Sequence, residues 1–416
     1  GLFMSAIIAI PKTLKTIIFY GVAFGSFRML IGGISTLYLL SKNIDLIDLG
    51  LLKSFQFGLM MIIDLPLSYI ADRYSRKLST ILGILFGSFW LLTTAFASEI
   101  WQFYVAEAFN AISLSLFGGA YISYLIDIKN KQYPDLDNKT LLSYDNKYNS
   151  LGMAICAFVG ASFLEPASNI IWIIAGTLLF IVSMGAFLQL PSDIYQSTHN
   201  NISDLKINTP NFSENLGRLI SILKTKQEIC YGLIVLSILL IYFQTILQLW
   251  QPVIKNFNTG NLGWIYGMFF SIVSLAQLLS SYAINSNIKN KYTYILICLF
   301  LSLLLMLSAI TLFQHSTKGV VLIVISLFIM FFGIKFLMIE ASAKFHDIIP
   351  NNYRSLLDGM AFFISRTILL IIFPAITYLI QKMGFIALPL IFSILITLYM
   401  FIGHQFKTNI NNNTSV

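Results

Sequence analysis

An all-α integral membrane protein is the fold class this sequence predicts, and three observations predict it. Of 416 residues, 57% are hydrophobic and 11% charged, whereas a soluble domain carries about 25% charged residues to cover its surface. The apolar residues form long continuous runs, and a helix needs about 20 of them to cross the hydrocarbon core. Lipid offers no partner to backbone N–H and C=O groups, so only helices and closed barrels span it, and continuous runs select helices.

Twelve spans follow in order along the chain. Six lie at 15–40, 47–70, 78–98, 101–126, 148–167 and 170–191. Six more lie at 229–252, 261–284, 292–314, 319–343, 355–380 and 384–405. Most connections are short. The exception is 192–228, which is rich in Asn, Ser and Thr and contains a Pro. The sequence therefore divides into a bundle of six helices at 1–191, a connecting loop at 192–228, and a second bundle with a short tail at 229–416. A 6+6 transporter with two related halves has this layout.

Basic residues set the expected orientation. With the N-terminus inside, eighteen Lys and Arg fall on cytoplasmic segments against four on outer loops (Lys42, Lys255, Lys318 and Lys382), the bias that fixes topology in multi-pass proteins. Both ends are then cytoplasmic, and the net charge of +8 is a topology signal that needs no nucleic acid to explain it. Trp101, Trp172, Trp250 and Trp264 lie near outer ends, where an interfacial aromatic belt is expected. No cleavable signal peptide is expected, because the first apolar segment is followed by a full-length span. Cys156, Cys230 and Cys298 sit inside apolar runs without ligand spacing, so neither a disulfide framework nor a metal site is expected.

Between the second and third spans the chain reads Pro66-Leu67-Ser68-Tyr69-Ile70-Ala71-Asp72-Arg73-Tyr74-Ser75-Arg76-Lys77. This stretch resembles the signature loop of the major facilitator superfamily, roughly G-x-x-A-D-R-x-G-R-[KR]. The Ala-Asp-Arg-x-x-Arg-Lys core is intact; Ser68 and Ser75 stand where the pattern has glycines. Two further stretches resemble a bacterial subgroup of small-molecule exporters: Asp64-Leu65-Pro66-Leu67-Ser68, and Glu107 followed by Gly118-Gly119-Ala120 and Tyr124-Leu125-Ile126-Asp127. At an offset of 213, Asp72 and Arg76 align with Asn285 and Lys289, a degraded copy in the second half.

The resemblance implies two pseudo-symmetric six-helix bundles, a central cavity lined by the first, fourth, seventh and tenth helices, and location in the bacterial cytoplasmic membrane. It also implies a cytoplasmic latch built from Asp72, Arg73, Arg76 and Lys77, with Asp64 and Asp127 placed to join it. An Asp at a helix end accepts charge-assisted bonds from Arg and from a helix N-terminus.

Seven charges lie within the spans: Arg28, Lys53, Lys335 and Arg366, with Asp64, Glu107 and Glu340. Each costs about 2.5–3.5 kcal/mol at the bilayer centre on insertion scales, so each must face a partner or a wet cavity. Arg28, Glu107, Lys335 and Glu340 fall on helices that the resemblance places around the cavity. Glu107 and Asn110 are three residues apart and share a helix face; Glu107 is the expected proton carrier, against the alternative of a fixed Arg28–Glu107 pair. Lys335 and Glu340 point to different faces, Glu340 is either interfacial or a partner for Arg366, and the alternative for Arg366 is to bind an anionic group. Gln244, Gln248 and Gln251 form a polar stripe on span seven, for a ligand or for inter-helix bonding.

No phosphate-binding glycine loop, metal-ligand cluster or nucleophile–base set is found, so no cofactor is expected and an enzyme is disfavoured. The expectation is a monomeric secondary transporter whose partners are lipid, protons and a small organic molecule. Proton-coupled export leads; import of an anionic nutrient or chelate is the alternative, and a non-transporting receptor a third reading.

Overall fold

The computed structural model describes residues 10–136, 138–163, 165–193, 220–221, 223–224, 226–257, 263–348 and 354–413. At Asp72, Arg73 and some other helical positions, including 354–362 and 406–413, the backbone alone is described. Among the described residues the chain is helical without strands.

The first expected span is broken. Helix α1 (Lys12–Arg28) passes into a 3-10 turn at Met29–Ile31, and α2 (Ser35–Ser41) resumes after Gly32 and Gly33. Glycine is a poor helix residue, costing roughly 1 kcal/mol relative to Ala, and two in succession end the helical ladder. Helix α6 (Asn138–Phe163) crosses at this break. A Cβ at Gly160 would lie 1.8 Å from the carbonyl oxygen of Leu30, so only glycine permits the crossing. Above the break, Tyr38 on α2 donates to the carbonyls of Thr94 and Ala95 at 3.1 and 3.3 Å, satisfying acceptors left open at the end of α4.

Helices α3 (Leu46–Arg73), α4 (Arg76–Phe96) and α5 (Ile100–Gln132) follow with short turns, then α6 and α7 (Ile170–Gln189). Side chains cap the starts. Asp45 accepts from the Asp48 amide, Ser75 from that of Leu78, and Glu99 and Gln102 form a capping box. Close packing is helped by small residues and serines bonded across helices: Ser113 donates to the Gly83 carbonyl at 2.6 Å, Ser79 to that of Leu116 at 3.0 Å, and Ser88 to that of Gly176 at 2.7 Å. This is how helices associate in lipid, where apolar burial drives little.

The remaining helices are α8 (Gln227–Phe257), α9 (Gly263–Asn285), α10 (Lys291–Leu312), α11 (Thr317–Ile348), α12 (Arg354–Met383) and α13 (Ala387–Asn413). The chain forms two compact units, one of Gly1–Ile194 with Gly260–Ser274, the other of Tyr195–Thr259 with Leu275–Val416. The second unit is held by α8 packing on α11, α12 and α13, and α10 on α11; Ser326 donates to the Ser302 carbonyl at 2.7 Å.

Apart from the broken first, each expected span overlaps one helix, and among the described residues ten stretches are long and apolar enough to cross a membrane. Trp264–Ser280 is a shorter apolar helix. Helix α6 is not among the ten: it starts ten residues before the expected span, and its first half carries Asp145, Asn146, Lys147 and Asn149. The aromatic belt is half of what was expected. Trp101 and Trp264 are exposed, whereas Trp172 and Trp250 are core residues, Trp172 packing on Tyr38 and Trp90.

Candidate functional site

The first unit gathers its intramembrane charges into one buried chain. Arg28, the last residue of α1, donates from Nη2 to Asn110 Oδ1 at 2.6 Å and from Nη1 to Ser113 Oγ at 3.5 Å. Its guanidinium carbon lies 4.4 Å from the Trp90 ring centroid and 5.2 Å from that of Phe24. A planar, weakly hydrated cation suits such an aromatic slot. Asn110 in turn donates from Nδ2 to Glu107 Oε2 at 3.1 Å. The other carboxylate oxygen, Oε1, accepts from Lys53 Nζ on α3 at 3.1 Å. Arg28, Asn110 and Glu107 are 7%, 4% and 4% exposed.

The helical reading that put Glu107 and Asn110 on one face holds, and Arg28 joins them. The ion pair differs from the direct Arg28–Glu107 pair weighed above: Glu107 binds Lys53, and Asn110 stands between it and Arg28. A bare sequence does not give the rotation of α3, so Lys53 carried no sign that it faces α5. The chain holds two positive charges, Lys53 and Arg28, against one negative, Glu107. The Trp90 indole N–H beside Arg28 is buried without a hydrogen-bond partner.

A second constellation surrounds the signature loop. Arg76 donates to Asp127 at 2.6 Å, as the resemblance implies, with both side chains partly exposed. Asp64 accepts from Ser115 on α5, so it braces α3 against α5. Asp72 and Arg73 have side chains outside the described residues. Lys77 donates from Nζ to the Leu190 carbonyl at 2.7 Å. Sequence reasoning missed Asp193. Its carboxylate accepts from the Ser75 hydroxyl at 2.8 and 3.0 Å and from the Lys77 amide at 2.7 Å, an anion seated on the N-terminus of α4. Ser75, one of the two departures from the family pattern, both caps α4 and holds Asp193. The available signal was an acid directly after the sixth span, on the same side as the loop.

The second unit carries the other candidate residues. Lys335 lies with its Nζ 5.7 Å from the Phe243 ring centroid. Glu340 pairs with Lys344 one turn on, at 2.8 Å, and Arg366 is half-buried on α12. Gln244 and Gln248 are partly exposed on α8, while Gln251 is buried at 2%. Among the described residues no group of three or more His, Cys, Asp or Glu is placed to hold a metal ion.

The fold recurs in solved transporters. The nucleoside transporter NupG superposes with a TM-score of 0.72 at 15% identity, over 95% of this chain and 99% of that one. A bacterial homologue of the human lysosomal transporter Spinster, inward-facing and unoccupied, gives 0.70 at 11% identity over 95% and 97%. A POT family transporter in complex with a thioalcohol-conjugated peptide gives 0.69 at 14% identity over 96% and 98%. No curated protein matches the sequence. The family model of the Major Facilitator Superfamily matches residues 16–374, most of the chain. With that match, the apolar helices and the shared fold, this multi-pass membrane protein belongs to the Major Facilitator Superfamily.

Proposed function

We propose that the protein moves a small organic molecule across the bacterial cytoplasmic membrane by alternating access, driven by protons, with both termini cytoplasmic and export as the working direction. The observation that carries this reading is the buried Lys53–Glu107–Asn110–Arg28 chain. When a proton neutralises Glu107, its Coulombic hold on Lys53 is lost and the Asn110 bridge loses a charge-assisted acceptor. Lys53 and Arg28 are then free to reorganise around substrate, and loss of the proton restores the pair. One carboxylate thus exchanges a proton for a rearranged pair of cations. The Arg76–Asp127 pair and the Ser75–Asp193 seat act as the latch that opens and closes on one side of the membrane.

An anionic substrate, with import as the alternative direction, is favoured by one observation: the buried chain carries an unbalanced positive charge. The solved structures named above include one nucleoside transporter and one transporter bound to a conjugated peptide, so polar organic molecules of that size fit a shared fold. The test is uptake and efflux of a compound panel in proteoliposomes under an imposed pH gradient, with wild type and Glu107→Gln. Wild-type protein should accumulate its substrate with the gradient and Glu107→Gln should not. A Glu107→Gln protein that concentrates substrate with unchanged pH dependence would exclude Glu107 as the carrier.

A further inference from the structure

One buried carboxylate is left unused by that mechanism. Asp145 on α6 is 6% exposed, although Asn146, Lys147 and Tyr148 after it are exposed. The polar half of α6 therefore turns one acid inward, one turn before the stretch expected to cross the membrane. Its Oδ1 accepts a 2.5 Å bond from the Tyr121 hydroxyl of α5.

No cation neutralises Asp145 among the described ion pairs. From α5 the facing group is Tyr121; further along that helix Tyr124 donates to the Pro191 carbonyl, Asp127 is taken by Arg76, and Lys129 is buried. From α1 no titratable side chain faces it among these contacts: Gly21 lies against the Tyr121 ring, Gly25 against Asn149, and Val22 and Ser26 against Gly152. Lys12 and Lys15 are exposed at the start of α1, and Arg28 at its end is bonded to Asn110. The 3-10 turn at Met29–Ile31 brings no titratable group. On α6 itself Lys147 is exposed, and Asn149 Oδ1, one turn on, is buried without a hydrogen-bond partner. Burial pushes the Asp145 carboxyl above its ordinary value, and the Tyr121 bond holds it back only in part.

A packed route leads from this acid to the buried chain. The Tyr121 ring stacks on Phe117 with centroids 4.8 Å apart, and Phe117 stacks on Phe24 at 3.9 Å. Phe24 is one of the two rings against the Arg28 guanidinium. A Cβ on Gly21 would meet Tyr121 ring atoms at 2.2 Å, so Tyr121 has no slack against α1. We propose that Asp145 is a second protonation site of the transport cycle, exchanging a proton with water at the polar end of α6, and that Tyr121 passes its charge state to α1 and Arg28. A proton from water adds to the free carboxylate oxygen to give a carboxylic acid and later returns to water; no other covalent bond changes. The Tyr121 bond is charge-assisted while Asp145 is ionised and weakens when it is neutral, which loosens the stack. This inference rests on the proton-coupled reading above.

The test uses the full-length protein in liposomes. Infrared difference spectra across pH should show a carboxylic-acid carbonyl band that titrates in wild type and disappears in Asp145→Asn, whose amide keeps the shape and the acceptor. In Tyr121→Phe the same band should titrate at higher pH, because the donor favouring the ionised form is gone; this second variant carries the test if Asp145→Asn does not fold. Gradient-driven accumulation should be lost in Asp145→Asn. If the infrared titration is identical in wild type and Asp145→Asn, or if Asp145→Asn accumulates substrate like wild type while Glu107→Gln does not, the Asp145 assignment is overturned alone. A wild-type protein indifferent to the gradient overturns the coupling reading, and this cycle role with it.

Discussion

Replacing Lys53 by Met removes the only ion-pair partner described for Glu107. At 3.1 Å, with side chains 12% and 5% exposed and an effective dielectric of about 20, the lost attraction is roughly 5 kcal/mol. Desolvation of both groups offsets part of this in the intact pair. The single variant, however, keeps the burial cost of Glu107 and loses its compensation, and breaking a buried pair this way costs about 3–5 kcal/mol. Removing both charges is different. In Lys53→Met/Glu107→Gln neither group needs a counter-ion, and the neutral amide that replaces the carboxylate retains an acceptor for Asn110. The double variant should therefore lie within roughly 1–2 kcal/mol of wild type, well below the sum of the two single changes, because Glu107→Gln alone likewise leaves Lys53 without its counter-ion. Unfolding by dodecyl sulfate in mixed micelles, followed by far-UV circular dichroism, measures all four proteins on one scale. If Lys53→Met unfolds at the wild-type detergent fraction, the pair is not a buried ionic contact and the reasoning fails.

The latch residues should separate stability from turnover. Arg76 and Asp127 are 28% and 41% exposed, so Asp127→Asn should cost under about 1 kcal/mol in the same unfolding assay yet slow substrate flux in proteoliposomes; unchanged flux would remove the pair from the latch. Gly160→Val should be the most disruptive single change in the first unit, since its Cβ would fall within 1.8 Å of the Leu30 oxygen. A monodisperse, wild-type-stable Gly160→Val protein on size exclusion would show that α6 does not cross α1 at the break.

How far the sequence reached depended on which physical quantity each feature encodes. Spans were legible because lipid selects on apolar length, which a linear sequence carries directly. The Glu107–Asn110 face was legible because i,i+3 spacing fixes relative direction on one helix. Lys53 was not, because its direction depends on how α3 is rotated within the bundle, and a helix this uniformly apolar gives no stripe from which to read that rotation. The break in α1 had a visible sign in Gly32-Gly33, but hydropathy runs straight through it. Asp145 was misplaced for the opposite reason. Its polar surroundings read as a loop, whereas the helix begins earlier and turns that one acid inward. Asp193 needed two segments more than a hundred residues apart to meet, and only its position after the sixth span hinted at that.

The interruption at Met29–Gly33 leaves the first transmembrane segment as two short rods joined by a swivel. Its upper rod is fastened by Tyr38 to the far end of α4, while the lower one lies along α6 and ends in Arg28. The two glycines let the rods meet at an angle that a continuous helix would have to bend to reach. Arg28 ends the lower rod, so the charge held by Asn110 and Ser113 of α5 lies at the junction itself.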